Sequence, residues 1–385
     1  MNTLLLSPYH SGSHKAWATG LQAHSKHSVA LATLPGQGWK WRMHGGAIAL
    51  AAETERLAQE VSFDLVLATD MLDYATYIAL TRSVFDNVPF VLYMHENQLL
   101  YPLSADKTSG PMRRNWGLRE RQYVLINWKS MLAADVIFFN SRFHLNSFFE
   151  HLPIFLNHYH DYKGLETVEK LQRKSDVLPC GVDLQRFESV SPSRAKLDAQ
   201  LASSSPLILW NQRWEFDKNP TLFFEVIQQL AADGIDFQLA ICGEHFQSQF
   251  DTFKADLAGL ESRVVHFGYA DEATYRALLW AADLTISTAI HEFFGISIIE
   301  AIYCNTMPLL PKRLSYPELI PSSFHTDVFY SGKKELLFRC KELLTEKDRI
   351  ESIKYSLSVH FKKYDWSQII GQYDQKLGHI ALNHH

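Results

Sequence analysis

The chain has 385 residues, of which 46% are hydrophobic and 21% are charged, with a formal net charge of −5. This length exceeds one ordinary core and predicts two soluble α/β domains. The slight acidity argues against a protein that binds nucleic acid through its overall charge, although residues 1–190 carry equal numbers of acidic and basic side chains.

Two further classes are excluded by what the sequence lacks. No run approaches the roughly 18 apolar residues of a membrane helix, and the start, MNTLLLSPY, has no basic region typical of a signal peptide. We therefore expect a cytoplasmic protein with no membrane partner. The cysteines are far apart and form no C-x-x-C pair, which argues against a zinc site and a disulfide framework; they are Cys180, Cys242, Cys304 and Cys340.

The first predicted element is a strand at Thr3–Leu6, which leads into SPYHSGSHKAW. Gly12 lies in a turn before a helix that begins near His14. A strand, a glycine turn and a helix suit phosphate or sugar binding, but α/β turns also use glycine for purely structural reasons. Both interpretations of Gly12 and His14 stay open.

A second strand at Val29–Thr33 is followed by the glycine-rich stretch LPGQGWKWRMHGG, which we predict to be a loop. It carries Trp39, Lys40, Trp41 and Arg42. If the two tryptophans are exposed among these cations, they form a stacking and phosphate-binding surface for an unpaired base. If they fold under the loop, they are core residues.

The next predicted elements are a helix at Ala47–Glu60 and buried strands at Phe63–Ala68 and Pro89–Met94. The second of these strands ends in HENQLLYP. Polar groups at the carboxyl end of a parallel strand lie where open α/β sheets bind ligands. His95, Glu96 and Asn97 are therefore candidate site residues.

Residues 104–117 form a polar stretch that includes Arg113 and Arg114, and a helix with Arg119 and Arg121 follows. A solvated face is the default for such charges, and a phosphate-binding track is the alternative. The run ADVIFFNS then predicts another strand and turn.

A domain boundary is expected after VLPCGVDLQRF, which ends at Phe187, because a Ser- and Ala-rich connector follows. The second domain, 188–364, opens with the strand LILW and the turn NQRWEFDKNP, and a helix begins at Pro220. Arg213 and Lys218 lie in this turn, where a guanidinium and an ammonium together suit a diphosphate. A final helix, 365–385, ends the chain.

Strands at Phe237–Ile241, Val264–Phe267 and Leu284–Ser287 alternate with helices and predict a second βαβ domain. The first of these strands leads into a turn at Gly243.

The stretch HEFFGISIIEA, residues 291–301, predicts a strand-to-helix turn. Free amides at the helix start and the missing Cβ of Gly295 suit an anion, which would lie against Phe294, Gly295 and Ile296. Glu292 and Glu300 would address the two ends of a bound molecule. Alternatively, Ser297 and Glu300 form a capping box and Glu292 is a solvated loop acid.

Together these stretches resemble the retaining, nucleotide-sugar-dependent glycosyltransferases of the GT-B fold. The features that carry the likeness are the N-terminal glycine turn, VLPCGVDLQRF, QRWEFDKNP, the Gly243 turn in ICGE and the two glutamates of HEFFGISIIEA. The motifs WKWR, YMHENQLLYP, HEFFGISIIEAIYC and PLLPKRLSYPELIP narrow the resemblance to tRNA-queuosine mannosyltransferases. Phe293-Phe294 departs from the Gly-Phe or Pro-Phe usual in the wider superfamily and is similar to this branch.

The resemblance implies two Rossmann-like domains that face each other across a cleft, with the last helix crossing back to the first domain. It also implies transfer of mannose from GDP-mannose, with retention, to the cyclopentenediol of queuosine in a tRNA anticodon loop. In the family picture Glu300 binds the ribose hydroxyls of the nucleotide, Glu292 contacts the sugar and His95 lines the pocket. The chain has no Asp-x-Asp motif, so we expect no metal or other cofactor.

The acceptor is the least direct part of this interpretation. A local patch in the first domain would combine Trp39, Trp41 and Arg42 with Arg113 and Arg114. One alternative is a glycosyltransferase that acts on a small molecule, lipid or glycan. Another is an inactive module that binds only a nucleotide sugar or RNA, which the intact candidate donor residues argue against.

Overall fold

The computed structural model describes residues 1–101, 118–188, 205–243, 254–345 and 347–384. The chain folds into two units. The first comprises Met1–Asp183 and Tyr364–His385, and the second comprises Leu184–Lys363. The units thus divide between Asp183 and Leu184, a few residues before the expected boundary at Phe187.

The first unit is built on six parallel strands in the order β2-β1-β3-β4-β5-β6. The strands are β1 (Asn2–His10), β2 (Ser28–Pro35), β3 (Leu65–Thr69), β4 (Phe90–Met94), β5 (Val136–Phe139) and β6 (Ser175–Val177). The described helices are α1 (Gly12–His24), α2 (Trp39–Leu57), α3 (Tyr74–Leu80), α4 (Leu118–Ala133), α5 (Arg142–Leu156), α6 (Glu166–Arg173) and, at the chain end, α14 (Trp366–Asn383).

The prediction of a loop around the two tryptophans is wrong, because residues 39–42 form the first turn of α2. Gly38, with φ of 60°, precedes this turn. Met43, Ala47 and Leu50 then place buried side chains at helical spacing along one face. The buried face begins at Met43, before the predicted helix start at Ala47, and the helix itself begins at Trp39.

The last helix belongs to the first unit because α14 packs against α1. Trp366 lies so close to Gly20 that a Cβ there would be 2.0 Å from its Nε1. The buried Trp17 donates from Nε1 to the Tyr373 hydroxyl at 3.0 Å, and that hydroxyl donates to the Pro179 carbonyl at 2.7 Å. The expected return of the final helix to the first domain is confirmed.

The second unit is also a parallel sheet of six strands, in the order β12-β11-β10-β7-β8-β9. The strands are β7 (Leu207–Trp210), β8 (Gln238–Cys242), β9 (Val264–Gly268), β10 (Leu284–Ile286), β11 (Met307–Pro311) and β12 (Phe329–Tyr330). The described helices are α7 (Pro220–Ala232), α8 (Glu272–Ala281), α9 (Ile296–Tyr303), α10 (Tyr316–Leu319), α11 (His325–Val328), α12 (Lys333–Thr345) and α13 (Lys347–Phe361).

Both units are therefore doubly wound α/β structures, as predicted. In the second unit the strand order reverses between β7 and β10, and in the first it reverses between β1 and β3. Open α/β sheets bind ligands beyond the carboxyl ends of strands at such a reversal. Within the described ranges, no helix combines the length and apolar character that crossing a membrane requires. All four cysteines are buried free thiols.

Candidate active site

The strand reversal of the second unit brings two predicted turns to one edge of its sheet. β7 and β10 are adjacent, with Leu284 paired with Ile208 and Thr285 with Leu209. Residues 211–218 follow β7 and residues 287–295 follow β10, so both turns begin at the carboxyl ends of neighbouring strands. The structure brings Lys218 and Glu292 together here.

Lys218 is the most strongly held cation at this edge. It ends a 3-10 helix at Phe216–Lys218, and its side chain is only 8% exposed. Its Nζ lies 3.2 Å from Asp217 Oδ2 and donates to Glu292 Oε2 at 3.2 Å and to the His291 carbonyl at 3.1 Å. Burial alone would lower the pKa of Lys218, but the Glu292 and Asp217 carboxylates raise it above its usual range. The ammonium is therefore charged at neutral pH.

The turn before α9 has the predicted form. Gly295 precedes the helix with φ of 95°, a conformation that favours glycine, and Ile296 is the first helical residue. The Phe294 amide donates to Glu292 Oε1 at 3.4 Å, which holds this carboxylate over the turn. Because Glu292 also pairs with Lys218, it is not a solvated loop acid.

Glu300 lies one turn into α9 and is buried. Its Oε1 accepts from Arg186 at 2.7 Å, and its Oε2 accepts from the Tyr275 hydroxyl at 2.7 Å. Gly295, not Ser297, is the residue before the helix, so the capping-box alternative is wrong. Glu300 is instead a carboxylate with a fixed orientation.

Two more predicted donor residues lie in the second unit. Gly243 follows β8, and a Cβ there would lie 2.1 Å from the Gln212 carbonyl oxygen, so this close approach requires glycine. Arg213 is about half exposed and lies 3.4 Å from Glu215. Sequence reasoning missed Asp217 and His291. Burial lowers the pKa of His291 to about 4, with Lys218 acting in the same direction.

In the first unit, three side chains meet at the carboxyl ends of β1, β3 and β4, which are neighbours in the sheet. His14 lies in the first turn of α1, Asp70 follows β3 directly, and His95 follows β4 directly. All three are buried, with their nearest ligand atoms within 4.8 Å of one another. Asp70 was missed by the sequence reasoning, although the rule that selected His95 also selects a polar residue directly after β3.

His95 is fixed within this group by its backbone and its ring. Its amide donates to Asp70 Oδ1 at 2.9 Å, and its carbonyl accepts from Asn140 at 2.8 Å. The ring centroid lies 4.6 Å from that of His14 and 4.7 Å from those of Trp17 and Tyr93. Burial lowers the pKa of His95 to about 3, so its imidazole is neutral.

The other acceptor candidates have mixed environments. Gly12, with φ of 49°, begins α1 and has open space around its Cα. Glu96 is half-buried and accepts from Gln98 at 3.2 Å, whereas Asn97 is buried and its Oδ1 accepts from the Leu100 amide at 2.9 Å. Asn97 therefore shapes the turn after β4.

The aromatic candidates are now separated by exposure. Trp41 is 66% exposed, whereas Trp39 is half-buried against Tyr123 with ring centroids 5.2 Å apart. Arg42 donates from Nε to the Pro35 carbonyl at 3.2 Å. The predicted cations Arg113 and Arg114 lie outside the described residues. Of the two tryptophans of this turn, Trp41 therefore presents the more exposed ring.

The two doubly wound units have the fold of the GT-B class. Solved structures with this fold include sucrose-phosphate synthase from Thermosynechococcus elongatus, at a TM-score of 0.72 and 13% identity, covering 99% of each chain. Anabaena HepE in complex with UDP and glucose matches at a TM-score of 0.68 and 14% identity, covering 98% of this chain and all of that one.

The family follows from the sequence matches. Residues 2–182 match the family described as tRNA-queuosine alpha-mannosyltransferase N-terminal, and residues 194–356 match glycosyl transferases group 1. The chain is 33% identical over 349 residues to the tRNA-queuosine alpha-mannosyltransferase of Drosophila melanogaster, covering 89% of this chain and 85% of the relative. The chain belongs to the tRNA-queuosine alpha-mannosyltransferase family and is a glycosyltransferase.

A second relative is similar over a shorter part. The GDP-mannose:cellobiosyl-diphosphopolyprenol alpha-mannosyltransferase of Xanthomonas oryzae pv. oryzae is 22% identical over 204 residues, which are 51% of this chain. Its name differs from that of the fly relative in the acceptor. The shared class is therefore mannosyl transfer, with acceptors that differ between relatives.

Proposed function

We propose that this protein transfers mannose from GDP-mannose to a hydroxyl of the cyclopentenediol of queuosine in tRNA. The observation that carries the proposal is that the similarity to the fly tRNA-queuosine alpha-mannosyltransferase covers 89% of the chain, and so includes residues of both units. A relative that shared only a nucleotide-sugar domain would support the donor alone.

The second unit supplies the groups for a nucleoside diphosphate. Breaking the bond between mannose and GDP develops negative charge on the diphosphate, so fixed cations and amides stabilise the transition state more than the ground state. Lys218, Arg213 and the helix start at Gly295–Ile296 are proposed to bind this charge. Glu292 would contact the sugar, and Glu300 would bind the ribose hydroxyls.

The first unit supplies the groups for the acceptor. A base in an anticodon loop can be splayed out and stacked on an aromatic face, and Trp41 offers such a face. Lys40 and Arg42 lie on either side of it in the sequence and would bind flanking phosphates. His14 and His95 would lie around the accepting ring.

We propose that transfer retains the anomeric configuration. The acceptor hydroxyl attacks from the face that the diphosphate leaves, a new bond forms to the anomeric carbon, and a departing phosphate oxygen takes the hydroxyl proton. GDP leaves with the electron pair of the broken bond. We further propose that the reaction needs no metal ion, because buried Lys218 supplies a fixed positive charge near the diphosphate.

The deciding experiment gives the purified protein GDP-mannose labelled in the sugar, with matched tRNA preparations that contain or lack queuosine. We expect label on the queuosine-containing tRNA alone and no loss of rate with EDTA. Label on a lipid or oligosaccharide and on neither tRNA would replace the acceptor assignment. Loss of activity with EDTA and its return with Mg²⁺ would overturn the metal-independent donor site.

A further inference from the structure

The group His14, Asp70 and His95 contains polar atoms that the fold buries without fully satisfying. Asp70 is 1% exposed, and its Oδ1 accepts from the His95 amide at 2.9 Å. Within the described part of the chain, no hydrogen bond reaches Asp70 Oδ2 or either ring nitrogen of His95. Burying polar atoms without partners is costly, so these atoms are expected to face a ligand.

The position of the group supports the same conclusion. Its residues follow β1, β3 and β4, and the strand order of the first unit reverses between β1 and β3. Ligands of open α/β sheets lie at this edge. Asp70 is 1% exposed, and His14 and His95 are 8% and 9% exposed, so little of the group is open to solvent. Such limited exposure suits a small uncharged group.

The hydrogen-bond donors and acceptors of the group favour a ligand that carries hydroxyls. A carboxylate oxygen only accepts hydrogen bonds, whereas a neutral imidazole donates one and accepts one. One hydroxyl can donate to Asp70 Oδ2 and a neighbouring hydroxyl can accept from the N–H of the His95 ring, so a pair of hydroxyls satisfies both side chains. An apolar group would leave every one of these atoms unsatisfied.

We propose that Asp70 and His95 bind the two hydroxyls of a vicinal diol on the acceptor, with Asp70 Oδ2 accepting from the hydroxyl that does not receive the sugar. This inference rests on the proposed function, because it assigns a contact to the diol of that acceptor. It adds Asp70, which the sequence motifs did not select, as the group that distinguishes a diol from a single alcohol.

A metal ion is the competing occupant, since two imidazoles and a carboxylate are common zinc ligands. Tetrahedral zinc with ligand distances of about 2.0–2.1 Å places its ligand atoms roughly 3.3 Å apart. Here His95 Nδ1 and Asp70 Oδ1 are 3.7 Å apart, and the ligand atoms of the group spread over as much as 4.8 Å. Asp70 Oδ1 is also already engaged by a backbone amide. A diol can bind these side chains without their ligand atoms moving closer together.

The first test compares Asp70→Asn with Asp374→Asn. Asp374 is a buried carboxylate of the same unit that accepts from the Ser25 hydroxyl at 2.6 Å and the Lys26 amide at 3.1 Å, so its role is structural. We expect Asp70→Asn to lower kcat/KM for queuosine-containing tRNA by about 10- to 100-fold. The affinity for GDP should not change. Asp374→Asn should lower Tm without this selective loss.

The second test removes the ligand side of the same contact. The acceptor is tRNA carrying a queuosine analogue that lacks the non-accepting hydroxyl. Wild type should lose about 10- to 100-fold in kcat/KM on the analogue, and Asp70→Asn should show little further loss, because both changes remove one contact. If the losses in kcat/KM from the variant and from the analogue multiply when combined, the assignment is wrong.

The remaining outcomes separate the possible failures. Wild-type transfer to queuosine-containing tRNA with unchanged kinetics of Asp70→Asn would overturn this inference and leave the proposed function standing. No transfer by wild type to that tRNA would overturn the proposed function, and the diol assignment with it. Stoichiometric zinc in the purified wild-type protein that is absent from Asp70→Asn would show that the group is a metal site.

Discussion

Replacing Lys218 with methionine tests its contribution to stability and its proposed contribution to diphosphate binding separately. The side chain is buried, and its Nζ lies 3.2 Å from a carboxylate oxygen of Asp217 and of Glu292. Each pair is worth roughly 5 kcal/mol of attraction at an effective dielectric constant of about 20, before the cost of burial is subtracted. Lys218→Met keeps the side-chain length but leaves Asp217, which is 1% exposed, without its cation.

Removing one partner of a buried ion pair destabilises by about 3–5 kcal/mol, because the other charge stays buried. For a unit of this size that corresponds to a Tm lower by about 6–20 °C. Adding Asp217→Asn to Lys218→Met removes the unpaired buried charge, so part of the lost stability should be recovered. Activity should not return, since the cation proposed to bind the diphosphate is still absent. We expect kcat/KM to stay at least about 100-fold below wild type.

Lys354→Met is the matched control. Lys354 is also 8% exposed and lies in the second unit, but its partner Glu351 is 62% exposed and lies only three residues away. Such pairs contribute about 0–1 kcal/mol, so Tm and activity should stay near wild type. Calorimetry of the four proteins, with GDP added to identify the transition of the second unit, measures the differences. Equal Tm values for Lys218→Met and Lys354→Met, or no recovery with Asp217→Asn, would refute the reasoning.

Three further predictions use single contacts. Burial lowers the pKa of His95 to about 3 from its ordinary 6.5, so the stability it preserves is complete above pH 6.5 and falls as pH drops towards 3. His95→Asn should remove roughly 1.4 kcal/mol per pH unit from the acid slope of urea unfolding between about pH 6.5 and 3. Gly243→Ala should destabilise the second unit by about 1–3 kcal/mol in calorimetry, because its Cβ would lie 2.1 Å from a carbonyl oxygen, while Gly332→Ala, which has open space, should not. Trp41→Ala should weaken tRNA binding by about 1–3 kcal/mol at unchanged Tm, because the ring is 66% exposed; a lower Tm with unchanged tRNA affinity would make it a packing residue.

The order of strands and helices could be predicted because each signal is local. Short β-rich runs bounded by glycine and polar turns identify strands such as β4 and β7, and Gly295 identifies the turn before α9. The stretch from Trp39 to Arg42 was misassigned because its glycines are local signals for a loop. The buried stripe of α2 begins at Met43, and packing of that stripe extends the helix through the preceding turn.

The candidate site was only partly predictable, because its partners come from distant parts of the chain. Lys218 and Glu292 are 74 residues apart, and only the pairing of β7 with β10 brings their turns together. Asp70 had a usable signal, since it follows a buried strand directly, as His95 does. The alternation of residue types contains no information about which strands become neighbours, so the meeting of Asp70 with His14 and His95 required the sheet order.

The environment of Glu300 suits the binding role proposed for this buried carboxylate. Arg186 and Tyr275 each donate to a different oxygen at 2.7 Å, so the carboxylate is fixed in orientation before any ligand arrives. Two carboxylate oxygens in a fixed plane match the spacing of two neighbouring hydroxyls. The entropy of orienting the side chain is thus lost during folding and not during binding. Lys218 is held in the same way by Asp217, Glu292 and the His291 carbonyl, which suits the role proposed for it against the charge of a departing diphosphate.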